Sequence, residues 1–176
     1  VESFIASFGR SAWRRPMTEA ELTKYSALAQ SLTEIQEGDV ELGVEATVAA
    51  ILQSPYFLYR VELGVGLSDD PSVRKYTPFE MATRLSYTLW ETTPDQELLD
   101  AAAAGELATE ASVREHATRM LEDPRAAVVL ERFWREHLSI DRLTLDDYPK
   151  PDATPELYAD MRLEGQQLAA KVSEPG

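Results

Sequence analysis

Cysteine is absent from this chain of 176 residues. The chain therefore contains no disulfide, no thiolate ligand for a metal and no cysteine nucleophile. Covalent attachment of a c-type haem also needs cysteine, so this chain does not carry such a haem itself. The absence leaves the compartment open, because chains without cysteine occur in both reducing and oxidising surroundings.

Long apolar runs are also missing. No stretch approaches the ~20 apolar residues that span a bilayer, so we expect no membrane insertion, and no signal peptide is visible. There are 17 Lys and Arg against 31 Asp and Glu, for a formal net charge of -14. Because so acidic a chain repels polyanions, we expect no nucleic-acid partner. The sequence opens at Val1 rather than methionine, and we expect it to be a piece of a longer protein.

Histidine occurs only twice, at His116 and His137. Both lie close to apolar positions of consecutive predicted helices, where zinc or iron would still need carboxylate ligands. No His-x-x-x-His or Glu-x-x-His pair places two ligands on one helix face. Packed or surface histidines are therefore favoured over a metal site.

The sequence also lacks the patterns of a calcium loop and of a serine nucleophile. An acidic loop is formed by Asp141, Asp146, Asp147 and Asp152, but it lacks the alternate spacing and the central glycine of a calcium loop. A solvated loop is favoured. Serines lack the context of a nucleophile elbow. We assign no catalytic, cofactor-binding or metal-ligating residue from the sequence.

Hydrophobic periodicity predicts an all-α fold, a multi-helix bundle of about seven or eight helices in two docked helical units. No window has the period-2 alternation of a strand. The predicted domains are an N-terminal helical unit over residues 1–62, a linker over 63–76 and a second helical unit over 77–176. The second unit contains an irregular segment over 139–153 and a C-terminal helix.

Capping side chains mark most of the predicted helix starts. A glutamate three residues later completes a capping box after Thr18 and after Thr77. Proline at the first helical position strengthens several starts. The predicted starts are Thr18, Asp39, Thr77, Thr93, Thr109, Asp123 and Thr154.

The predicted helix over 77–90 organises the chain. It is apolar around most of its circumference, so we expect neighbours on several sides. One face holds Phe79, Ala82, Leu85, Ser86 and Leu89, and Met81, Tyr87 and Trp90 add apolar bulk on other sides. The last two helices are expected to pack inward through Ala127, Leu130, Phe133, Trp134, His137 and Leu138, and through Leu157, Tyr158, Met161, Leu168 and Val172.

Charged residues stand among aromatic ones over 56–62, which we expect to form a helix or an extended core segment. Buried charges are rarely unpaired, so an internal ion pair of Arg84 with Glu62 or Glu80 is predicted. A binding site for an anionic or planar ligand is the alternative. Its candidate residues are Arg60, Glu62, Arg84 and Trp90.

Three separated motifs resemble a known pair of helical domains. FGRSAWRRPMT over 8–18 and SPYFLYRVE over 54–62 are similar to the opening and the close of the domain of unknown function fifteen-ninety-five. The run from LSYTLW at 85–90 through PDQELL at 94–99 to RMLEDPRA at 119–126 resembles the domain of unknown function fifteen-ninety-two, which follows it. The pair is typical of large exported proteins associated with planctomycetal cytochrome c, and the similarity covers about residues 3–145.

The resemblance implies a function class but no catalytic residue. It implies that the parent protein is exported, to the periplasm or the cell surface, and is redox-linked, with any c-type haem elsewhere in the parent. The implied partners are other domains of that parent and other proteins.

We therefore expect a helical scaffold or interaction module of a larger multidomain protein. Two alternatives stay open. One is part of an enzyme, a hydrolase or oxidoreductase, whose site needs further domains. The other is a ligand- or polysaccharide-binding module, which requires the rings of Tyr56, Tyr59, Tyr87 and Trp90 to face solvent.

Overall fold

A computed structural model of the chain describes residues 1–35, 38–66, 70, 72–144, 146, 150 and 152–173. Nine α-helices occur in this part, eight of them with at least seven residues, beside one two-stranded ladder, which confirms the all-α prediction. Short 3-10 turns lie at Glu106–Ala108 and Ile140–Arg142. The elements are α1 (Glu2–Trp13), α2 (Glu19–Ile35), α3 (Val40–Leu52), α4 (Pro55–Leu58), β1 (Val65–Gly66), β2 (Arg74–Lys75), α5 (Pro78–Leu89), α6 (Gln96–Ala103), α7 (Glu110–Leu121), α8 (Pro124–His137) and α9 (Pro155–Val172).

The chain divides into two compact units. Unit 1 comprises residues 1–87 and 92–113, and unit 2 comprises residues 88–91 and 114–176. The division falls within α5 and α7. The boundaries predicted at 62 and 77 stay a prediction.

The core of unit 1 lies among α1, α2 and α3, which pack against one another. Its buried apolar residues are Ile5, Ala12, Trp13, Ala29 and Ile51, with Phe8, Met17, Leu22 and Tyr25 packed around them. These side chains recur at helical spacing, so each helix buries one stripe, as the sequence predicts. The stripe of α2 ends early, since Ile35 is 70% exposed.

Close approach of α2 and α3 depends on Gly43. A Cβ built on this residue would lie 2.7 Å from the main-chain oxygen of Ala29 and 2.3 Å from Oγ1 of Thr33. Neither distance is compatible with a methyl group. The absence of a side chain at this position therefore sets how near the two helices come.

Helix caps follow the sequence closely. Oγ1 of Thr77 accepts from the backbone N–H of Glu80 at 3.2 Å, and the carboxylate of Glu80 accepts from the N–H of Thr77 at 2.7 Å. The same box joins Thr18 and Glu21. Asp39, Asp123 and Thr154 cap their helices through side-chain oxygens, as predicted.

One predicted helix start is wrong. The run expected to open at Thr93 begins at Gln96, and Asp95 is the cap, accepting from the N–H of Leu98 at 2.8 Å. Aspartate is a stronger N-cap than threonine. A start at Thr93 would have placed Asp95 inside the helix and lost this bond.

The predicted linker over 63–76 contains the two-stranded ladder, which the sequence did not predict. Val65 pairs with Lys75 and Gly66 with Arg74, antiparallel. Gly64 precedes the ladder at φ 60, and a Cβ there would meet the main-chain oxygen of Lys75 at 2.7 Å. A two-residue ladder is too short to produce the alternation by which strands are recognised.

The helix expected to be apolar all round is less buried than predicted. Of α5, the fully buried residues are Ala82, Thr83 and Ser86. Phe79, Leu85 and Leu89 are half-buried, and Arg84 is exposed. The hydroxyl of Thr83 donates to Phe79 O, and that of Ser86 donates to Thr83 O, so both small polar side chains are satisfied within the helix.

Unit 2 has its own small core. Trp90, Met120, Ala126, Ile140, Tyr158 and Ala169 are buried in it. α8 packs against α9, and the turn at Ile140–Arg142 contacts both. Gly165 permits this contact, because a Cβ there would lie 3.1 Å from Cγ2 of Ile140.

The predicted inward faces of α8 and α9 are largely wrong. Exposed fractions are 52% for Phe133, 54% for Leu138, 57% for Leu168 and 58% for Val172. α9 packs through Tyr158, as predicted, and through Ala169, which the predicted face did not include. Small residues allow the helices to approach, so the larger apolar side chains beside them stay in solvent.

Candidate ligand-binding site

A cleft of about 310 Å³ lies wholly within unit 1. We call it the arginine cleft, because three guanidinium groups line it. Its remaining walls are mostly aromatic or apolar, and clefts of this size and character suit small ligands or single side chains. The lining residues are Trp13, Arg14, Arg15, Tyr56, Tyr59, Arg60, Val61, Thr77, Phe79, Glu80 and Thr83.

Arg14 builds the floor of the cleft. It ends α1 in the left-handed region at φ 59, which turns its side chain inward, and it is only 4% exposed. Its Nη2 donates to the main-chain oxygens of Tyr56 at 2.6 Å and Tyr59 at 2.9 Å, and its Nη1 donates to Ala12 O at 3.2 Å. The buried charge therefore fixes the backbone that follows α4.

Arg15 forms one wall. Its two terminal nitrogens donate to the two carboxylate oxygens of Glu21 at 2.9 and 2.8 Å. These bonds from Arg15, helped by the N–H of Thr18 and opposed by partial burial, lower the pKa of Glu21 from 4.5 to about 2. The guanidinium also lies 4.4 Å from the ring centroid of Tyr56, a cation–π distance. The polar groups of Arg15 are thus already engaged.

Arg60 is the third guanidinium, and it differs from the other two. Its carbon lies 4.7 Å from the ring centroid of Tyr87. Within the described residues, no hydrogen bond or ion pair to this guanidinium is present. The edge of the group is therefore open to a ligand.

Glu80 is the cleft's carboxylate, and its oxygens are occupied. One accepts from the N–H groups of Leu63 at 2.7 Å and Gly64 at 2.9 Å, and the other accepts from Thr77. Partial burial raises the pKa of Glu80, but the backbone bonds from Gly64, Thr77 and Leu63 outweigh it, so the net shift is downward. The carboxylate holds the chain near the ladder rather than neutralising Arg60.

The predicted ion pair between Arg84 and Glu62 is present, with 2.7 Å between nitrogen and oxygen. Arg84 also donates to Oη of Tyr76 at 2.8 Å. The pair is at the surface rather than internal, as the side chain of Arg84 is 47% exposed. The surrounding aromatic residues are themselves exposed, so the sequence context overstated its burial.

The four aromatic rings proposed to face solvent behave differently. Tyr59 is 66% and Tyr56 45% exposed, while Tyr87 is half-buried beneath Arg60. Trp90 belongs to unit 2 and is 4% exposed, with its Nε1 donating to Met120 O at 2.9 Å and Arg125 stacked 3.5 Å from its ring. Trp90 is therefore a core residue, and a ligand role for it is not supported.

Segment 56–62 begins with a helical turn, in line with one of the two predicted forms, but it does not lie in the core. A single helical turn is followed by extended chain, and Leu58 is 60% and Val61 43% exposed. Arg14 donates hydrogen bonds to the carbonyls of Tyr56 and Tyr59, so these carbonyls face the interior. The apolar side chains of the segment face solvent. The predicted burial was wrong because apolar composition alone does not say which side of the chain faces the core.

The described part of the chain has no arrangement of side chains that suits a metal ion. No group of three or more His, Asp or Glu residues there could hold an ion. His137 is exposed and stacks on Phe133 with 5.4 Å between ring centroids. Asp141 accepts from Arg135 at 3.0 Å, Asp146 and Asp152 are exposed, and Asp147 lies outside the described residues.

Sequence reasoning missed Arg14 and Arg15 as members of the site, because they looked like a helix terminator before Pro16. The sequence holds one signal, since two arginines directly follow Trp13 and a second aromatic run occurs at Tyr56, Phe57 and Tyr59. None of the helices described combines the length and apolar character that crossing a bilayer requires.

Comparison with known families gives two matches. The model described as a protein of unknown function (DUF1592) matches residues 76–175, and that described as a protein of unknown function (DUF1595) matches residues 1–62. The order agrees with the motifs in the sequence. Searches of curated proteins and of solved structures find no match.

Proposed function

We propose, from the premise that this chain belongs to the family of proteins of unknown function DUF1592 and carries DUF1595 before it, that it is a non-catalytic helical interaction module. It docks against another part of a larger exported, redox-linked multidomain protein. Export and the redox link rest on the resemblance of the sequence motifs. The docking role rests on the surface of unit 1.

The observation that carries the proposal is an exposed apolar run on a fixed main chain. We call residues 56–65 the aromatic segment. Leu58, Tyr59 and Leu63 are 60%, 66% and 69% exposed. Exposed apolar side chains are ordinary singly, but a contiguous group of them marks an interaction site.

The aromatic segment is held at both ends. Arg14 binds the carbonyls of Tyr56 and Tyr59, and Glu80 binds the N–H groups of Leu63 and Gly64. Apolar side chains that were exposed only because the segment packs loosely would not need a main chain held by hydrogen bonds at both ends. The fixed main chain supports a specific contact rather than loose apolar exposure.

Another part of the same protein is the favoured occupant. Two family domains already follow one another along this sequence, over 1–62 and 76–175. Tethering raises the effective concentration of a linked domain to the millimolar range. A modest apolar surface then suffices for docking, which fits one segment better than the broad interface of an independent partner.

Hydrogen exchange tests the proposal. Backbone amides of the aromatic segment are compared between this 176-residue chain alone and the longer protein. We expect slower exchange over 56–65 in the longer protein, with unchanged exchange in α2. Equal exchange in both would contradict docking at this surface.

A variant pair sharpens the test. Leu58→Ser with Leu63→Ser is expected to weaken binding of this chain to the rest of the protein, added in trans, by tenfold or more, because each lost buried leucine is worth about 1.5–3 kcal/mol. Ile35→Ser is the matched control, since Ile35 is 70% exposed but lies at the end of α2. Equal affinity for the double variant would overturn the proposal.

A further inference from the structure

We propose that the arginine cleft binds a carboxylate carried by a flat apolar group, with Arg60 as the anion contact and Tyr59 as the stacking surface. The cleft shares Tyr59 with the aromatic segment, but its tests use the 176-residue chain alone, so their outcome is separate from that of the docking experiments. The ligand class follows from the availability of donors, the charge balance and the walls.

The guanidinium of Arg60 has N–H groups that can donate to a ligand. Its guanidinium is covered on one face by the ring of Tyr87, 4.7 Å away, and its N–H groups bind nothing else in the described part of unit 1. A guanidinium presents a planar fork of N–H groups that matches two carboxylate oxygens. The stacking on Tyr87 orients that fork before a ligand arrives.

The charge balance of the cleft favours one negative charge. Arg14, Arg15 and Arg60 line the cleft with three positive charges, and Glu80 lines it with one negative charge. Glu21 lies outside the lining but pairs with Arg15, so the sum with it is +1. The whole chain has a formal net charge of -14. Its repulsion is screened beyond about 8 Å at physiological ionic strength, whereas a contact at Arg60 is not.

The walls favour a flat apolar body. Tyr59 is 66% exposed at the rim, and Trp13, Val61 and Phe79 line the interior. Ring stacking on an exposed tyrosine adds attraction beyond that of area burial. A phosphate would need several donors, and here Arg60 is the lining arginine whose donors are unengaged. A carboxylate with an attached ring therefore fits better.

Titration with small probes tests the ligand class. Benzoate is added to the 176-residue chain, and the side-chain N–H signal of Arg60 and the ring signals of Tyr59 are followed by NMR. Saturable shifts in the millimolar range are expected for benzoate. Acetate, benzamide and inorganic phosphate are expected to bind at least tenfold more weakly. Equal binding of benzamide, or tighter binding of phosphate, would sink the proposal.

Two sources of such a carboxylate are distinguished by a second pair of probes. N-acetylphenylalanine presents a ring and a free chain-terminal carboxylate, and its amide lacks the charge. Tighter binding of N-acetylphenylalanine than of benzoate indicates a polypeptide terminus. The reverse order indicates a free aromatic acid. Binding of the amide as tight as that of the acid contradicts both.

Substitution locates the site. Arg60→Gln is expected to weaken benzoate binding at least tenfold, and Arg60→Lys to restore part of it. Arg84→Gln is the matched control, because Arg84 is an exposed arginine of the same unit outside the cleft. The thermal midpoint of each variant is measured to verify folding. Wild-type benzoate affinity in Arg60→Gln would place any binding elsewhere and refute the assignment.

Discussion

Nη2 of Arg14 lies 2.6 Å from the main-chain oxygen of Tyr56. The contact joins residues 42 positions apart in the sequence, and it places a charged side chain where only 4% of its surface meets solvent. Buried guanidinium groups persist only when their donors are used. Arg14 is therefore part of the framework of unit 1.

Replacing Arg14 should destabilise unit 1 strongly. Arg14→Met keeps an apolar stem but leaves the carbonyls of Tyr56 and Tyr59 without a donor, and each unsatisfied group costs about 1–3 kcal/mol. We expect the free energy of unfolding by urea to fall by about 3 kcal/mol. The control Arg84→Met removes a surface ion pair and should cost far less, because water screens such pairs. Similar losses in both variants would contradict the buried role of Arg14.

Acid should weaken the bond between Arg15 and Glu21. The pKa of Glu21 is about 2 in the folded chain against an ordinary value of 4.5. Because the folded value is the lower one, the stabilisation is complete above about pH 4.5 and is lost as the pH falls toward 2. Glu21→Gln should therefore flatten the decline in unfolding free energy over this range.

The control for this pH profile is Glu34→Gln, an exposed glutamate of the same helix. It should keep the wild-type slope between about pH 4.5 and 2. Acid unfolding followed by circular dichroism gives both profiles. A wild-type slope in Glu21→Gln would show that the ion pair does not set the acid limit.

A glycine-to-alanine change in α3 should destabilise the chain despite the better helix propensity of alanine. That propensity favours alanine by about 1 kcal/mol. At Gly43, however, the new methyl group would lie 2.7 Å from the main-chain oxygen of Ala29, which cannot move without shifting α2. We expect Gly43→Ala to lower the thermal midpoint, with a net loss of about 1–3 kcal/mol from overpacking. An increased midpoint would mean that α2 and α3 separate easily.

Trp90 should matter for the stability of unit 2 rather than for binding. Trp90→Phe keeps a ring but loses the bond to Met120 O, which still accepts from the N–H of Asp123, so we expect a cost of about 0.5–1.5 kcal/mol for the lost hydrogen bond. Phe133→Leu is the comparison, because Phe133 is an aromatic residue of the same unit that is 52% exposed. Thermal unfolding of both variants checks the order. A larger loss in Phe133→Leu would reverse the assignment.

Helix positions were predictable from the sequence because capping is a local property. A threonine and a glutamate three residues apart satisfy each other's backbone groups whatever the rest of the chain does. The boxes at Thr18 and Thr77 were therefore found correctly. Thr93 failed for an equally local reason, since Asp95 two residues later is the better cap.

Burial was predicted less well because it depends on distant residues. A stripe at helical spacing names a face but does not say which part of it meets a neighbour. In α9, Gly165 and Ala169 face the contact because small residues let helices approach, and Leu168 next to them remains 57% exposed. The sequence favoured the large residues.

The cleft was predicted only in part. Arg60 was proposed as a ligand residue, and it does line the cleft. Arg14 and Arg15 were not, since their contacts with Tyr56 cross about forty residues of sequence and depend on where α4 lies. No periodic pattern records a contact of that kind.

The carboxylate of Glu80 has a kinetic consequence. It accepts hydrogen bonds from the N–H groups of Leu63 and Gly64, and Arg14 donates to the carbonyls of Tyr56 and Tyr59. The main chain between these bonds is therefore ordered in the free chain. In the docking that we propose, little ordering would remain to slow association. Variants of this surface should therefore differ mainly in residence time, with association rates that stay nearly constant.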